Sequence, residues 1–320
     1  MKHPRPHRFE PGQCLGRRVD VVDDDPGHPQ PDDRPGGGHP VVLEGSPFAA
    51  VQRHRVDGQP VRRLVVASSM SVYGEGLYRD ASGVVRPGSG RSLDQLRRGD
   101  WELADEHGRR LSPAPTPETK PVSLESVYAL SKFDQERMCL MLGRAYELPT
   151  VALRLFNVFG PRQALSNPYT GVLAIFASRL LNDRAPLVFE DGDQQRDFVS
   201  VKDIATACRL ALETEAATGM VLNVGSGRPR TINEVARKMA VVMGKPRLAP
   251  EVTARYRMGD VRHCCADISL ARSVLGYEPK VAFDHGLAEL VEYLKKTPGV
   301  VARDRVAEMK AELEARGLTL

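Results

Sequence analysis

From about Val61 to Lys296, short apolar runs alternate with longer amphipathic ones, and this rhythm restricts the chain more than any other feature. "RRLVVASS", "TVALRLFNVFG" (150–160), "PLVFEDGDQQRDFVSVKD" (186–203) and "GMVLNVGSG" (219–227) have the length and β-branched content of buried strands. Between and after them come helical patterns at 126–148, 171–183 and 201–214, in "TINEVARKMAVVMG", in "DISLARSVLGY" and in "DHGLAELVEYLKK". Thr231 followed three residues later by Glu234 forms a capping-box signature for one of these helices. Within 126–148, Met138, Leu140, Met141 and Leu142 are expected to supply core. Strands that alternate with helices in this way predict an α/β fold on a parallel sheet.

Residues 1–60 have a different character. Eight of the 24 prolines and four of the eight histidines lie in the first 40 residues, beside "DDDPGHPQPDDRPGGGHP". That composition suits turns and disorder rather than a packed element. Only "RRVDVVDDD" (17–25) suggests a short strand, and His3 and His7 are separated by prolines that forbid a regular helix. Residues 76–120 also interrupt the rhythm with glycine, proline and charge, and "SLDQLRRGDWELADEHG" is their one helical stretch. Such an insertion reads equally as a lid or as a function-neutral loop.

The remaining composition narrows the function classes. Net charge is only +4 and no basic stripe is interleaved with aromatics, which argues against nucleic acid. No apolar run has membrane-spanning length, and the N-terminus lacks the apolar core of a signal peptide, so a cytoplasmic protein is expected. Five cysteines, Cys14, Cys139, Cys208, Cys264 and Cys265, show no paired spacing and read as reduced thiols, with no metal site.

The run Val65–Ala67 ends in Ser68, Ser69 and Ser71, followed by Tyr73-Gly74. Hydroxyls at a strand end are unremarkable in a turn. They acquire a partner in "YALSK", where Tyr128 and Lys132 stand four apart on a predicted helix and so share a face. An ammonium held near a phenol favours the phenolate, and a serine hydroxyl beside them completes a proton relay for an alcohol being oxidised. The hydride of such a reaction needs a nicotinamide cofactor. Alone, Tyr-x-x-x-Lys is a weak signal, equally written by a half-buried tyrosine and a snorkelling lysine.

Order and context add specificity. "SSMSVYG", "YALSK", "RLFNVFGPRQ", "QQRDFVSVKDIA", "LNVGSG" and "GDVRHCCADISLARSVLGYEP" occur in series from about residue 61 to 296. As a set they resemble the extended short-chain dehydrogenase/reductase family, the NAD-dependent nucleotide-sugar epimerases and dehydratases. The resemblance implies a Rossmann-like parallel sheet, its N-terminal part incomplete or degenerate, with a smaller C-terminal substrate-binding α/β region. It divides the chain into an atypical 1–60, a core 61–165 carrying the 76–120 insertion, and a mainly substrate-binding 166–320. It implies Ser69, Tyr128 and Lys132 as the catalytic trio, the latter two also meeting NAD. Asn157, Arg196, Arg257 and Asp260 would line the nucleotide-sugar site. Those residue types suit the task, since arginine forks bind diphosphate and an aspartate accepts from a sugar hydroxyl. A homodimer through the Tyr128 helix is implied too.

Within that family, the resembling 4,6-dehydratases carry Asp-Glu directly after the catalytic threonine, where this chain has Met70 and Ser71. The resembling decarboxylases carry a glutamate at the place of Ser71. The residues therefore read as a 4-epimerase acting on a UDP- or dTDP-hexose. The family's opening Gly-x-x-Gly-x-x-Gly turn, which cradles the cofactor pyrophosphate, has no counterpart here, and "GQCLG" (12–16) has the wrong spacing. Two alternatives stay open: a sugar-nucleotide-binding remnant that does not hold NAD, and an NADPH-dependent sugar ketoreductase.

Overall fold

A computed structural model describes residues 41–43, 55–56, 59–163, 171–257 and 259–296. The readings placed on 12–16 and 17–25, on His3, His7 and Cys14 lie outside those residues. Four parallel strands form the central sheet in the order β1 (Val41–Leu43), β4 (Leu64–Ser69), β8 (Thr150–Leu155), β12 (Val221–Val224). A hairpin of β2 (Arg55–Val56) and β3 (Gln59–Pro60) precedes β4.

Because side chains alternate across a strand, β4 is apolar on both faces, as a buried parallel strand must be. Leu64 and Val66 join Ala152, Cys139, Leu140 and Leu148 on the side covered by α2 (Val127–Ala145). Val65 faces the other way, with Val151, Leu153, Leu222 and Val224, against α4 (Val201–Glu213) and α6 (Ser269–Leu275). The contact of α2 with the sheet is close. A Cβ on Gly143 would lie 2.2 Å from Thr150 Oγ1, so only glycine fits there. Met141, expected in the core, is instead 61% exposed. It falls on the outer stripe of α2 while Leu140 turns inward, since neighbouring helical residues point about 100° apart.

A second sheet runs β13 (Pro229–Thr231), β11 (Gln195–Ser200), β15 (His263–Ala266), β7 (Ser112–Thr116), β5 (Leu77–Arg79), β6 (Val85–Pro87), and β9 (Asn157–Phe159) also pairs with β11. Three of these strands come from the 76–120 insertion, which is therefore woven into the sheet. A short parallel pair, β10 (Leu187–Val188) and β14 (Glu251–Val252), lies apart from it. Helices α3 (Val172–Leu181), α5 (Ile232–Val242) and α7 (Phe283–Lys296) pack around Phe159, Phe198 and Met239 in a second core. The N-cap of α5 is as its sequence predicts: Glu234 N–H donates to Thr231 Oγ1 at 3.1 Å.

The helix expected over 92–108 is only α1 (Leu93–Arg97). It stops at Gly99, whose φ is +70°. Beyond it Asp105 accepts from the His107 and Arg109 amides, a local alternative to helical bonding that suits aspartate.

Candidate active site

The serine cluster divides its tasks. Ser68 points into the fold, and its Oγ donates to Glu136 Oε2 at 2.6 Å. Ser69 ends β4 in extended conformation and caps a 3₁₀ turn, Met70–Tyr73. Its Oγ accepts from the Ser71 amide at 3.2 Å and from Ser71 Oγ at 2.9 Å. With both acceptor positions taken, the Ser69 proton is left to donate elsewhere.

Ser126 caps α2 by accepting from the Ala129 amide. Tyr128 lies in the first turn and is 56% exposed. One turn on, Lys132 Nζ donates to Ala67 O at 3.2 Å and to Gln135 Oε1 at 3.4 Å. The Lys132 ammonium therefore sits over β4 two residues before Ser69. Lower on α2, Glu136 meets Ser68 and Gly143 meets Thr150, the first residue of β8, so α2 runs antiparallel to the strands. Four helical residues advance about 6 Å, and two strand residues advance about 6.6 Å. Tyr128 therefore reaches the level of Ser69, and the helical face it shares with Lys132 is the one turned to the strand.

Beneath the trio lies a clamp that the sequence reading did not identify. Arg154 on β8 binds Glu136 through Nε at 2.9 Å and Nη2 at 2.7 Å, and its guanidinium lies 4.8 Å from the Tyr73 ring centre. Both charged side chains are buried. The signal was available: Glu136 is four residues after Lys132, so it falls on the same, sheet-facing side of the helix. Burial, partly opposed by Arg154, holds the Tyr73 phenol well above its ordinary range; its hydroxyl donates to Asn223 Oδ1 at 2.7 Å.

The residues expected to hold a nucleotide sugar also come together. Arg196 on β11 donates through Nη2 to Asp260 Oδ1 at 3.4 Å and to Val261 O, and through Nη1 to Arg262 O at 2.9 Å. Arg257 and Asp260 close one turn, with the Asp260 amide on Arg257 O at 3.2 Å. Asn157 joins them because β9 pairs with β11, Asn157 opposite Phe198. It also lies two residues past Leu155, the register partner of Ser69, which links this cluster to the end of β4. Arg257 Nε and Asn157 Oδ1 are buried with no hydrogen-bond partner among the described residues. Buried polar atoms are rarely left so, and such atoms are available to a ligand.

The third group binds the insertion to the body. Arg262, fully buried, donates to Glu102, to Glu190 Oε2 at 3.0 Å and to both oxygens of Asp191. Glu75 receives the Arg262 and His263 amides and the Tyr78 hydroxyl. His263 Nδ1 accepts from the Gln195 amide at 3.1 Å, which assigns the ring proton to Nε2, facing Glu102 Oε2 at 3.1 Å. Burial alone would raise the Glu102 carboxyl, but the hydrogen bonds from His263 and Arg262 outweigh it and bring the group to about 2.

The fit to a nicotinamide dinucleotide differs between its two halves. Lys132 makes no ion pair and Tyr128 Oη no hydrogen bond among the described residues, so both are free to meet a ribose and a nicotinamide. No glycine-rich turn for a pyrophosphate is among the described residues.

Residues 105–225 match the model of the NAD dependent epimerase/dehydratase family. The dTDP-L-rhamnose 4-epimerase of Burkholderia thailandensis is 36% identical over 247 residues, which are 77% of this chain and 65% of that protein. Among solved structures, the UDP-N-acetylglucosamine 4-epimerase of Methanobrevibacter ruminantium superposes with a TM-score of 0.60 at 28% identity, over 78% of this chain and 66% of that one. The Thermus thermophilus UDP-glucose 4-epimerase, solved with NAD, gives a TM-score of 0.58 at 29% identity, over 78% and 67%. The chain thus spans about two thirds of the length of these relatives.

Proposed function

We propose that the chain is a member of the NAD dependent epimerase/dehydratase family and, within it, an NAD-dependent 4-epimerase of a UDP- or dTDP-linked hexose, a reading supported by the match over 105–225 and by the similarity to 4-epimerases. The observation that supports this reading is the bond from Lys132 Nζ to Ala67 O at 3.2 Å, with Tyr128 one helical turn from Lys132 and Ser69 two strand residues from Ala67. In this reading Tyr128, as the phenolate that Lys132 stabilises, takes the proton of the sugar C4 hydroxyl on Oη, and Ser69 keeps its own proton while donating a hydrogen bond to the same sugar oxygen. Bound NAD would supply the hydride acceptor, with Tyr128 and Lys132 holding its nicotinamide end. Asn157, Arg196, Arg257 and Asp260 would bind the diphosphate and sugar hydroxyls, leaving the hexose free to present either face.

The choice of epimerase over dehydratase or decarboxylase rests on the strand end. Met70 packs against the core, and Ser71 is engaged with Ser69. The nearest acid along this segment, Glu75, has both oxygens committed to Tyr78 and the 262–263 amides. None of the three offers the free carboxylate that elimination or decarboxylation uses.

A panel of UDP- and dTDP-hexoses incubated with NAD and followed by NMR should yield the C4 epimer, with Tyr128→Phe slowing turnover by about 10²- to 10⁴-fold while UDP binding persists. Net consumption of NADPH would instead indicate a ketoreductase. One observation favours a second reading, that of a sugar-nucleotide binder. The binding cluster is built from residues 157–260 and takes nothing from β1 to β4. A thermal shift with UDP or dTDP and none with NAD would select it.

A further inference from the structure

The insertion reaches the candidate substrate site through one buried cation. Arg91 has a side chain only 2% exposed. Its Nη1 donates to Glu190 Oε2 at 2.8 Å and its Nη2 to Asp260 O at 3.0 Å. Its Nε is buried with no partner among the described residues. Ten residues on, the Trp101 ring packs against Tyr256 with centroids 6.2 Å apart, and Trp101 O receives a longer bond from Arg91. The insertion thus touches the 257–260 turn at both ends, beside Arg257 and at Asp260.

Five polar groups of the backbone from 260 to 263 are held by side chains from elsewhere. Arg91 holds Asp260 O, Arg196 holds Val261 O and Arg262 O, and Glu75 accepts the Arg262 and His263 amides. Arg196 and Asp260 are candidate ligand-binding groups. The fork of Arg91 therefore decides where the Asp260 carboxylate and the turn carrying Arg257 sit. Its own position is set by Glu190, a buried non-glycine residue at φ 54°. A left-handed backbone at such a residue is uncommon and is retained where its surroundings require it. Here the carboxylate bridges Arg91 and Arg262.

We propose that Arg91 is a positioning residue of the nucleotide-sugar site, and that the 76–120 insertion is a fixed wall of that site rather than a moving lid. The proposal rests on the function read above, since it assigns Arg91 to the same site. Removing Arg91 leaves Glu190 paired with Arg262, so no buried carboxylate is stranded and the fold is expected to survive.

The test uses Arg91→Met, which keeps the stem and removes the fork, and Arg91→Lys, which reaches one partner instead of two. Hydrogen exchange of the 260–263 amides should accelerate about tenfold in Arg91→Met, and less in Arg91→Lys. UDP and dTDP affinity measured by calorimetry should fall about tenfold in Arg91→Met, and with turnover the loss should appear in KM more than in kcat. Added methylguanidinium should restore part of the binding, which general loss of stability would not allow. Unchanged affinity overturns the proposal, whether or not exchange accelerates. Arg196→Ala separates the two readings: if it loses UDP while Arg91→Met retains it, the binding site stands and the role of Arg91 falls. If the native protein binds no nucleoside diphosphate, the functional reading falls, and so does Arg91 as a positioning residue of that site.

Discussion

In the proposed reaction Ser69, Tyr128 and Lys132 carry the chemistry, and two of them have distinct expectations. Tyr128→Phe removes the proton acceptor and should lower kcat by about 10²- to 10⁴-fold with little change in nucleotide affinity, read by steady-state kinetics beside calorimetry. Ser69 is more than a hydroxyl, because it also caps the turn that follows β4. Ser69→Ala should therefore cost stability as well as rate. Glu136 lies outside the reaction yet matters more to the fold. Glu136→Ala would strand Arg154 in the interior, and urea unfolding should show a loss of about 3–5 kcal/mol. The nearness of Lys132 to the serine end of β4 could be anticipated, because the serine strand and the Tyr-x-x-x-Lys helix follow one another in the order the family resemblance implies. The clamp could not, since a Glu and an Arg eighteen residues apart announce nothing until a helix and a strand bring them within 2.7 Å.

At the scale of elements, the alternation of strands and helices was plain in the sequence from Val61 onward, because buried parallel strands write continuous apolar runs. The short insertion strands were not. β5 and β6 are three residues each, too brief for any period to show, and β7, "SPAPT", contains two prolines. Their place depends on side-chain pairs contributed from distant segments, chiefly the ion pair of Glu102 with Arg262 and its hydrogen bond with His263. Glu102 titrates below its ordinary 4.5, at about 2, so the folded state binds its proton more weakly than the unfolded chain does. The stability it contributes is present above about pH 4.5 and is lost as the pH falls towards 2. Unfolding by urea at stepped pH should show this decline, and Glu102→Gln should flatten it while Arg262 keeps Glu190 and Asp191.

For the molecule as a whole, the outer stripe of α2 leaves Val127, Leu130 and Met141 exposed on one side. We propose that this stripe is the seat of the homodimer that the family resemblance implies. Sedimentation should give twice the 35.2 kDa chain mass, and Met141→Lys should shift it towards the monomer. Among the described residues no helix is long and apolar enough to cross a membrane. Tyr128, Lys132 and Ser69 are proposed to exchange the C4 configuration of a nucleotide-linked hexose. Proton NMR of UDP-galactose, UDP-glucose and dTDP-hexoses with the native protein and a sub-stoichiometric amount of NAD tests this. The C4 epimer should accumulate to equilibrium well beyond one turnover per NAD, and should form about 10²- to 10⁴-fold more slowly with Tyr128→Phe. Folded protein that binds these sugars with NAD present and leaves every C4 centre unchanged would contradict the proposal.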